Sequence, residues 1–355
     1  MRTARLQVAP LLVALAVAAC AGAAPAGTMS PLPAATSASA ASTDAPRRPL
    51  LIDTDVAGDD LVALTFLLSS PSVELVGITV SGTGEAHCAG GVDVVLRLLE
   101  RLDAPDIPVA CGRETPLAGS HAFPADWRER VDAGSGLDLG PTDRMPSPST
   151  AAELISDLTA AHEPLTVLTT GPLTNLADAL RSDPALAERL GPVFVMGGAL
   201  HVPGNLVCCG APEGNAVAEW NVYVDPHALN VVVESGINPS LISLDGTNQV
   251  PLRTEFARRV MDEAEAPGAR VVAELFEANP YMTDGSFYIW DALAAQPAAG
   301  YSIGEFSPAC IEVEEAEGPE AGFTRPTCDT PNIRYLSTVD PAAAEDALLA
   351  VLNGG

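Results

Sequence analysis

The sequence predicts a single α/β domain built on a mostly parallel, mixed central sheet with helices on both faces. Three observations carry this. Short, nearly continuous apolar runs alternate with longer segments of helical period. The runs lack the polar alternation of a half-exposed sheet, so both faces of the strands are expected to be covered. Polar residues suited to chemistry fall at the carboxyl ends of the runs, where folds of this kind hold ligands. In chain order, "LLIDTD" (50–55) is a strand followed by a helical "DDLVALTFLLSS" (59–70). "VELVGITVSG" (73–82) leads to "GGVDVVLRLLERL" (90–102), and "PLTVLTTG" (164–171) to the helical "PLTNLADALRSDPALAERL" (172–190). "PVFVMGGAL" (192–200) reads as a strand, "HALNVVVESG" (227–236) as a helix, and "PSLISLDG" (239–246) as a further strand. The Pro-, Gly- and Ser-containing stretch 113–150 is expected to run over the surface, in the manner of a functional lid.

Ahead of this domain, residues 1–20 combine two arginines, an apolar run too short to span a membrane, and small residues before Cys20. This is a secretory signal. Its "VAAC" ending resembles a bacterial lipobox, which would make Cys20 a lipidated, membrane-anchoring first residue; cleavage near Ala23 or Ala24, releasing a soluble protein, is the alternative. Residues 21–48, mostly Ala, Pro, Ser and Thr, read as a disordered tether, with the folded domain over 49–355. Beyond the signal stand six cysteines, Cys88, Cys111, Cys208, Cys209, Cys310 and Cys328, an even count that suits disulfides in an exported chain. Sequence proximity favours Cys88 with Cys111 and Cys310 with Cys328. Zinc is the rival, but no C-x₂-C spacing occurs.

The net charge is −28, and all 18 basic residues are arginine. So acidic a chain is not expected to bind nucleic acid or anionic headgroups through charge. Without lysine there is no Walker-type phosphate lysine and no Schiff base. A phosphatase built on a strand ending in D-x-D is disfavoured for the same reason.

The stretch "DTDVAGDD" (53–60) places four aspartates within eight positions. One of them could cap the following helix, but a cap does not need four. Asp53, Asp55, Thr170, Met196 and Asp245 all lie at or just after strand ends and are expected to gather on one sheet edge. A hard divalent cation would hold such carboxylates together.

These residues carry a resemblance. "DTDVAGDD" resembles the D-x-D-P-G-x-D-D signature of the inosine–uridine nucleoside hydrolase family, and "TGPLTNLA" (170–177) and "FVMGGAL" (194–200) resemble its second and third signatures. "GN" (204–205) and "AEWNVYVDP" (218–226) continue in the family's order. "FPADWR" (123–128), "SLDGTNQVPLR" (243–253) and "FYIWDALAA" (287–295) look like its purine-specific, inosine–adenosine–guanosine-preferring branch. The resemblance implies a calcium ion held by Asp55, Asp60, the Thr170 carbonyl and Asp291, with Asp55 as the base that activates water. It implies that Asp59 and Asn221 bind the ribose 2′- and 3′-hydroxyls, that Asn205 and Glu219 hold the 5′-hydroxyl, and that Met196 also contacts substrate. Trp127 and Trp290 would stack the purine and favour its departure, since Trp290 rather than a histidine stands directly before Asp291; His87, His121, His162, His201 and His227 are expected on surfaces or loops. The family's members suggest a homo-oligomer.

Two departures stand out. Val56, Ala57 and Gly58 replace the Pro-Gly turn. In "SGTGEAHC" (81–88), where the family usually presents an Asn or Asp to substrate, Thr83 or Glu85 is left to substitute. The implied function is an exported, calcium-dependent purine ribonucleoside hydrolase. A broad-specificity hydrolase and a non-catalytic nucleoside-binding lipoprotein are the alternatives.

Overall fold

A computed structural model of the protein describes residues 46–208, 214–327 and 329–355. The expected signal, all but the last three tether residues, Cys209 and Cys328 lie outside the described residues.

Eight strands form the central sheet: β1 (Arg48–Thr54), β2 (Val73–Val80), β3 (Val109–Cys111), β4 (Leu165–Thr169), β5 (Leu190–Met196), β6 (Ser240–Ile242), β7 (Gly304–Ala309) and β10 (Ile333–Val339). Between the last two, β8 (Ile311–Val313) and β9 (Thr324–Pro326) make a separate antiparallel pair. The sheet order is β3-β2-β1-β4-β5-β6-β10-β7, parallel except for the β10–β7 pair. Chain order reverses between β1 and β4, which pair directly through Leu50–Asp53 and Thr166–Thr169. That is the switch point at which open α/β sheets open a crevice beyond the strand ends.

Side chains alternate across β1, so Leu50 and Ile52 enter one apolar layer while Leu51 enters the other. The first layer takes helices Gly58–Ser69, Cys88–Arg101, Pro267–Ala278, Trp290–Ala298 and Pro341–Leu352; the second takes Ala151–Ala161, Thr174–Ser182 and Pro226–Glu234. Both faces are covered, as the unbroken apolar runs require. No helix among the described residues is long and apolar enough to cross a membrane.

Two expectations need correction. The 172–190 segment is two helices, Thr174–Ser182 and Leu186–Arg189, because Pro184 has no N–H to continue the first. The 113–150 stretch is more than a surface excursion: it contains helix Ala125–Asp132, whose buried Arg128 donates to the Gly82 and Ala86 carbonyls (2.7 and 3.0 Å). Cys88 and Cys111 are disulfide-bonded, as expected, and the bond ties the start of a helix to the end of β3. Cys310 is also disulfide-bonded.

Candidate active site

Beyond β1 the chain turns through Val56, whose φ of 65° is unusual for a β-branched residue. This left-handed turn replaces the Pro-Gly of the signature, and it delivers Asp59 and Asp60 to the first turn of helix Gly58–Ser69. Asp60 does cap that helix: one carboxylate oxygen accepts from the Ala57 amide (3.0 Å). Its other oxygen accepts from the Thr54 and Thr170 hydroxyls, so it fastens the end of β1 to the end of β4. Capping and site-building therefore coexist in one residue.

Asp53 is fully buried and accepts from Thr79 (2.7 Å) and Asn175 (2.7 Å). Burial nonetheless pushes its pKa up to about 7. It is a structural support beneath the site. Asp55 accepts from the Glu85 amide (3.1 Å), and a Cβ on Gly84 would collide with the Asp55 side chain, so this approach requires glycine. Burial, then the charges of Asp60 and Glu85, raise Asp55 well above the ordinary carboxylate range. Asp291 enters from helix Trp290–Ala298, where its amide faces an Asp59 oxygen (3.4 Å). It too is raised well above its usual range, by burial and then by Asp59 and Asp60; Asp59 is raised to about 7 by burial and by Asp60.

Carboxylate oxygens of Asp59, Asp60 and Asp291 lie within 4.8 Å of one another, all buried. Buried carboxylates held this close are costly without a counter-charge. Their all-oxygen donor set fits a hard divalent cation. The tightest grouping thus includes Asp59, with Asp55 against the Asp60 side, whereas the resemblance implied Asp55, Asp60 and Asp291. The Thr170 carbonyl, the fourth expected ligand, accepts from the Asn221 side chain (3.2 Å).

A second polar wall comes from the segment around Glu219. Its carboxylate accepts from the amides of Asn221 (2.9 Å), Gly198 (3.0 Å) and Val222 (3.2 Å), while burial raises its pKa. The Asn221 amide group also reaches the Met196 carbonyl (3.3 Å) and sulfur (3.5 Å). Asn205 sits beside them, its side chain accepting from the Trp220 amide (3.1 Å). The two tryptophans expected to stack the base stand in separate aromatic groups. Trp127 is half-buried against Phe123 and Trp220, and Trp290 packs against Phe287 and Tyr288. The buried indole N–H of Trp290 has no acceptor among the described residues.

The structure also separates Thr83 from Glu85. Thr83 is buried in a hydroxyl relay with Ser81 and Thr174, and Thr174 donates to Asp225. For Glu85, burial first and then the charges of Asp59 and Asp60 lift the pKa to about 8, against the opposing charge of Arg130. No spacing in the sequence marked Arg130 and Tyr281, whose guanidinium and ring meet 5.0 Å apart. Asp245 is not part of the site: its carboxylate accepts from the Leu200 and His201 amides (both 2.9 Å) and locks the loop after β5. Three of the histidines are engaged elsewhere, His87 with Asp132, His121 with Glu317 and His227 with Glu315. A broad groove at the amino-end edge of the sheet, lined by Arg48, His162, Tyr301 and Arg334 among others, contains none of the site carboxylates.

Residues 50–346 match the family model described as inosine-uridine preferring nucleoside hydrolase. The chain belongs to this family. It is therefore an N-glycosyl hydrolase of ribonucleosides. Among similar proteins is the pyrimidine-specific ribonucleoside hydrolase RihA of Salmonella paratyphi C, 36% identical over 236 residues that cover 64% of this chain and 70% of that protein. The structure of an inosine-uridine preferring nucleoside hydrolase from Bacillus anthracis superposes with a TM-score of 0.77 at 26% identity, covering 87% of this hydrolase and 100% of that chain. A purine-preferring ribonucleoside hydrolase from Gardnerella vaginalis gives 0.76 at 25% identity, covering 86% and 98%.

Proposed function

We propose that this hydrolase is exported, depends on calcium, and cleaves the N-glycosidic bond of purine ribonucleosides to ribose and free base. The observation that carries the reading is the buried carboxylate cluster at the switch point with Trp290 directly ahead of Asp291. Asp59, Asp60 and Asp291, with Asp55 and the Thr170 carbonyl beside them, would hold the ion. A bound calcium ion supplies counter-charge to these carboxylates and Lewis acidity toward oxygen. Asp55, placed on the Glu85 amide, takes the proton of the attacking water. Asp59 and Asn221 orient the ribose diol, Met196 lines the sugar's path, and Asn205 with Glu219 receives the 5′-hydroxyl. As the bond to the base breaks, the sugar becomes oxocarbenium-like, and a pit of negative charge favours it.

Purine preference rests on aromatic stacking by Trp127 and Trp290 in the absence of a histidine before Asp291, and on likeness to the purine-preferring Gardnerella enzyme. A pyrimidine reading is favoured by the 36% identity to a relative named pyrimidine-specific. Export, with membrane anchoring through Cys20 or release, rests on the signal-like first 20 residues. The test is ribose release by the mature chain from inosine, guanosine, adenosine and uridine, after chelation and after calcium is restored. Purine cleavage that returns with calcium, with uridine poor, supports the reading. Comparable uridine cleavage replaces it with a broad-specificity hydrolase, and nucleoside binding without ribose release replaces it with a binding protein.

A further inference from the structure

The carboxylate cluster is rich in acceptors, and the indole N–H of Trp290, directly before Asp291, has no acceptor among the described residues. Helix Ala125–Asp132 is pinned beside the 82–86 loop by the two Arg128 bonds. Trp127 and Arg130, three residues apart on that helix, therefore share its neighbouring side. Arg130 is exposed, and its backbone carbonyl accepts from the Ser135 amide (3.0 Å), while its guanidinium makes no hydrogen bond or ion pair among the described residues. It does not pair with Glu85, although it lies near enough to oppose that residue's pKa rise. Its guanidinium instead stands over the Tyr281 ring, 5.0 Å from the centroid. Tyr281 in turn packs edge-on against Phe287 (ring centroids 5.7 Å), which packs against Trp290 (4.9 Å), the residue before Asp291. The turn that carries Tyr281 is tethered to the end of the Trp127 helix region by Asn279, which donates to the Ser135 carbonyl (2.8 Å). Arg130 is thus a cation held by a ring at the rim of a carboxylate pit, with its N–H donors uncommitted.

We propose that Arg130 is a specificity-determining residue that recognises the 6-oxo/N7 edge of the departing base, making inosine and guanosine the preferred substrates over adenosine. Guanidinium donors match two acceptors side by side, as guanine and hypoxanthine present at O6 and N7. Adenine offers N7 beside a 6-amino donor, which opposes an N–H. The same cation offsets negative charge that gathers on the purine as the glycosidic bond breaks. Tyr281 holds the guanidinium by its ring face and leaves the donor edge open.

This rests on the purine reading above. The test compares kcat/KM for inosine, guanosine and adenosine in the calcium-loaded wild-type protein and in Arg130→Met, with calorimetric titration of hypoxanthine and adenine. The wild type is expected to favour the two 6-oxopurine nucleosides by about tenfold or more, and Arg130→Met to lower the inosine-to-adenosine ratio by about 10-fold or more. Hypoxanthine affinity should fall more than adenine affinity. An equal loss on all three nucleosides, or an unchanged ratio, overturns the proposal while leaving purine hydrolysis intact. No ribose from any nucleoside overturns both.

Discussion

The buried carboxylates make the protein's stability depend on pH in a direction opposite to ordinary salt-bridged acids. Asp59 moves from 3.8 when unfolded to about 7 when folded, and Asp53 does the same. Above pH 3.8 the unfolded chain has released these protons while the folded chain keeps them, so stability falls as pH rises and levels off beyond the folded value. Each group alone costs about 4 kcal/mol across the whole window, at about 1.4 kcal/mol per pH unit for each retained proton. Between about pH 5 and about pH 7 each gives up about 2 kcal/mol, so these two groups alone take about 4 kcal/mol from the chelated protein, and the raised Asp55, Glu85 and Asp291 add to the loss in the same direction. Calcium holds Asp59 ionised in the folded state and should remove its share of about 2 kcal/mol; the Asp53 share remains, because Asp53 is buried behind the site on Thr79 and Asn175. Urea unfolding across this range, with chelator and with saturating calcium, reads the slope. Asp59→Asn is the control, since it deletes one retained proton and leaves histidines and surface carboxylates in place. In chelator it should reduce the loss by about 2 kcal/mol. A chelated wild type whose stability is flat or rises with pH, or a variant that keeps the full slope, would refute the reasoning.

Three further outcomes are expected. Asp55→Asn keeps the hydrogen bond from the Glu85 amide but cannot take a proton, so kcat should fall by about 10²–10⁴-fold with KM little changed; single-turnover ribose release checks this. Gly84→Ala drives a methyl into the Asp55 side chain, and a shift of about 1 Å there should lower kcat by about 100-fold while the calcium-loaded protein still unfolds cooperatively. Replacing both Cys88 and Cys111 by Ser releases a crosslink of sequence separation 23 and should cost about 3 kcal/mol in urea unfolding.

How much of this could be read from the sequence depended on whether a residue's role is set along the chain or across it. Strands β1, β2, β4, β5 and β6 were visible because strands buried on both faces must be apolar throughout, whereas the three-residue β3 was too short to show, and four aspartates in eight positions exceed any capping need. The switch point between β1 and β4 then brings Asp55 and Asp60 to Thr170, whose own position after a strand was also visible. The sequence could not say that Thr83 is spent on Ser81 and Thr174 while Glu85 faces the acids, because that choice is made by partners 91 residues away in one case and by three-dimensional proximity in the other. Asp245 misled for the same reason: it follows a strand as a ligand would, yet two amides 44 and 45 residues upstream consume its carboxylate. Arg130 is the sharpest instance. In sequence it belongs to a charged "DWRER" run on a surface helix, one solvated cation among 18. Its distinction arises only when Arg128 anchors that helix to the 82–86 loop and Tyr281 arrives from 151 residues later to take the guanidinium's face. Family signatures specify the groups that handle the ribose and the ion, the parts common to every nucleoside. The two tryptophans proposed to stack the base lie in the quoted motifs, whereas Arg130, proposed to read its edge, and Tyr281, which holds it, come from outside them, so on that proposal the choice among purines is made by tertiary packing that the motifs do not encode.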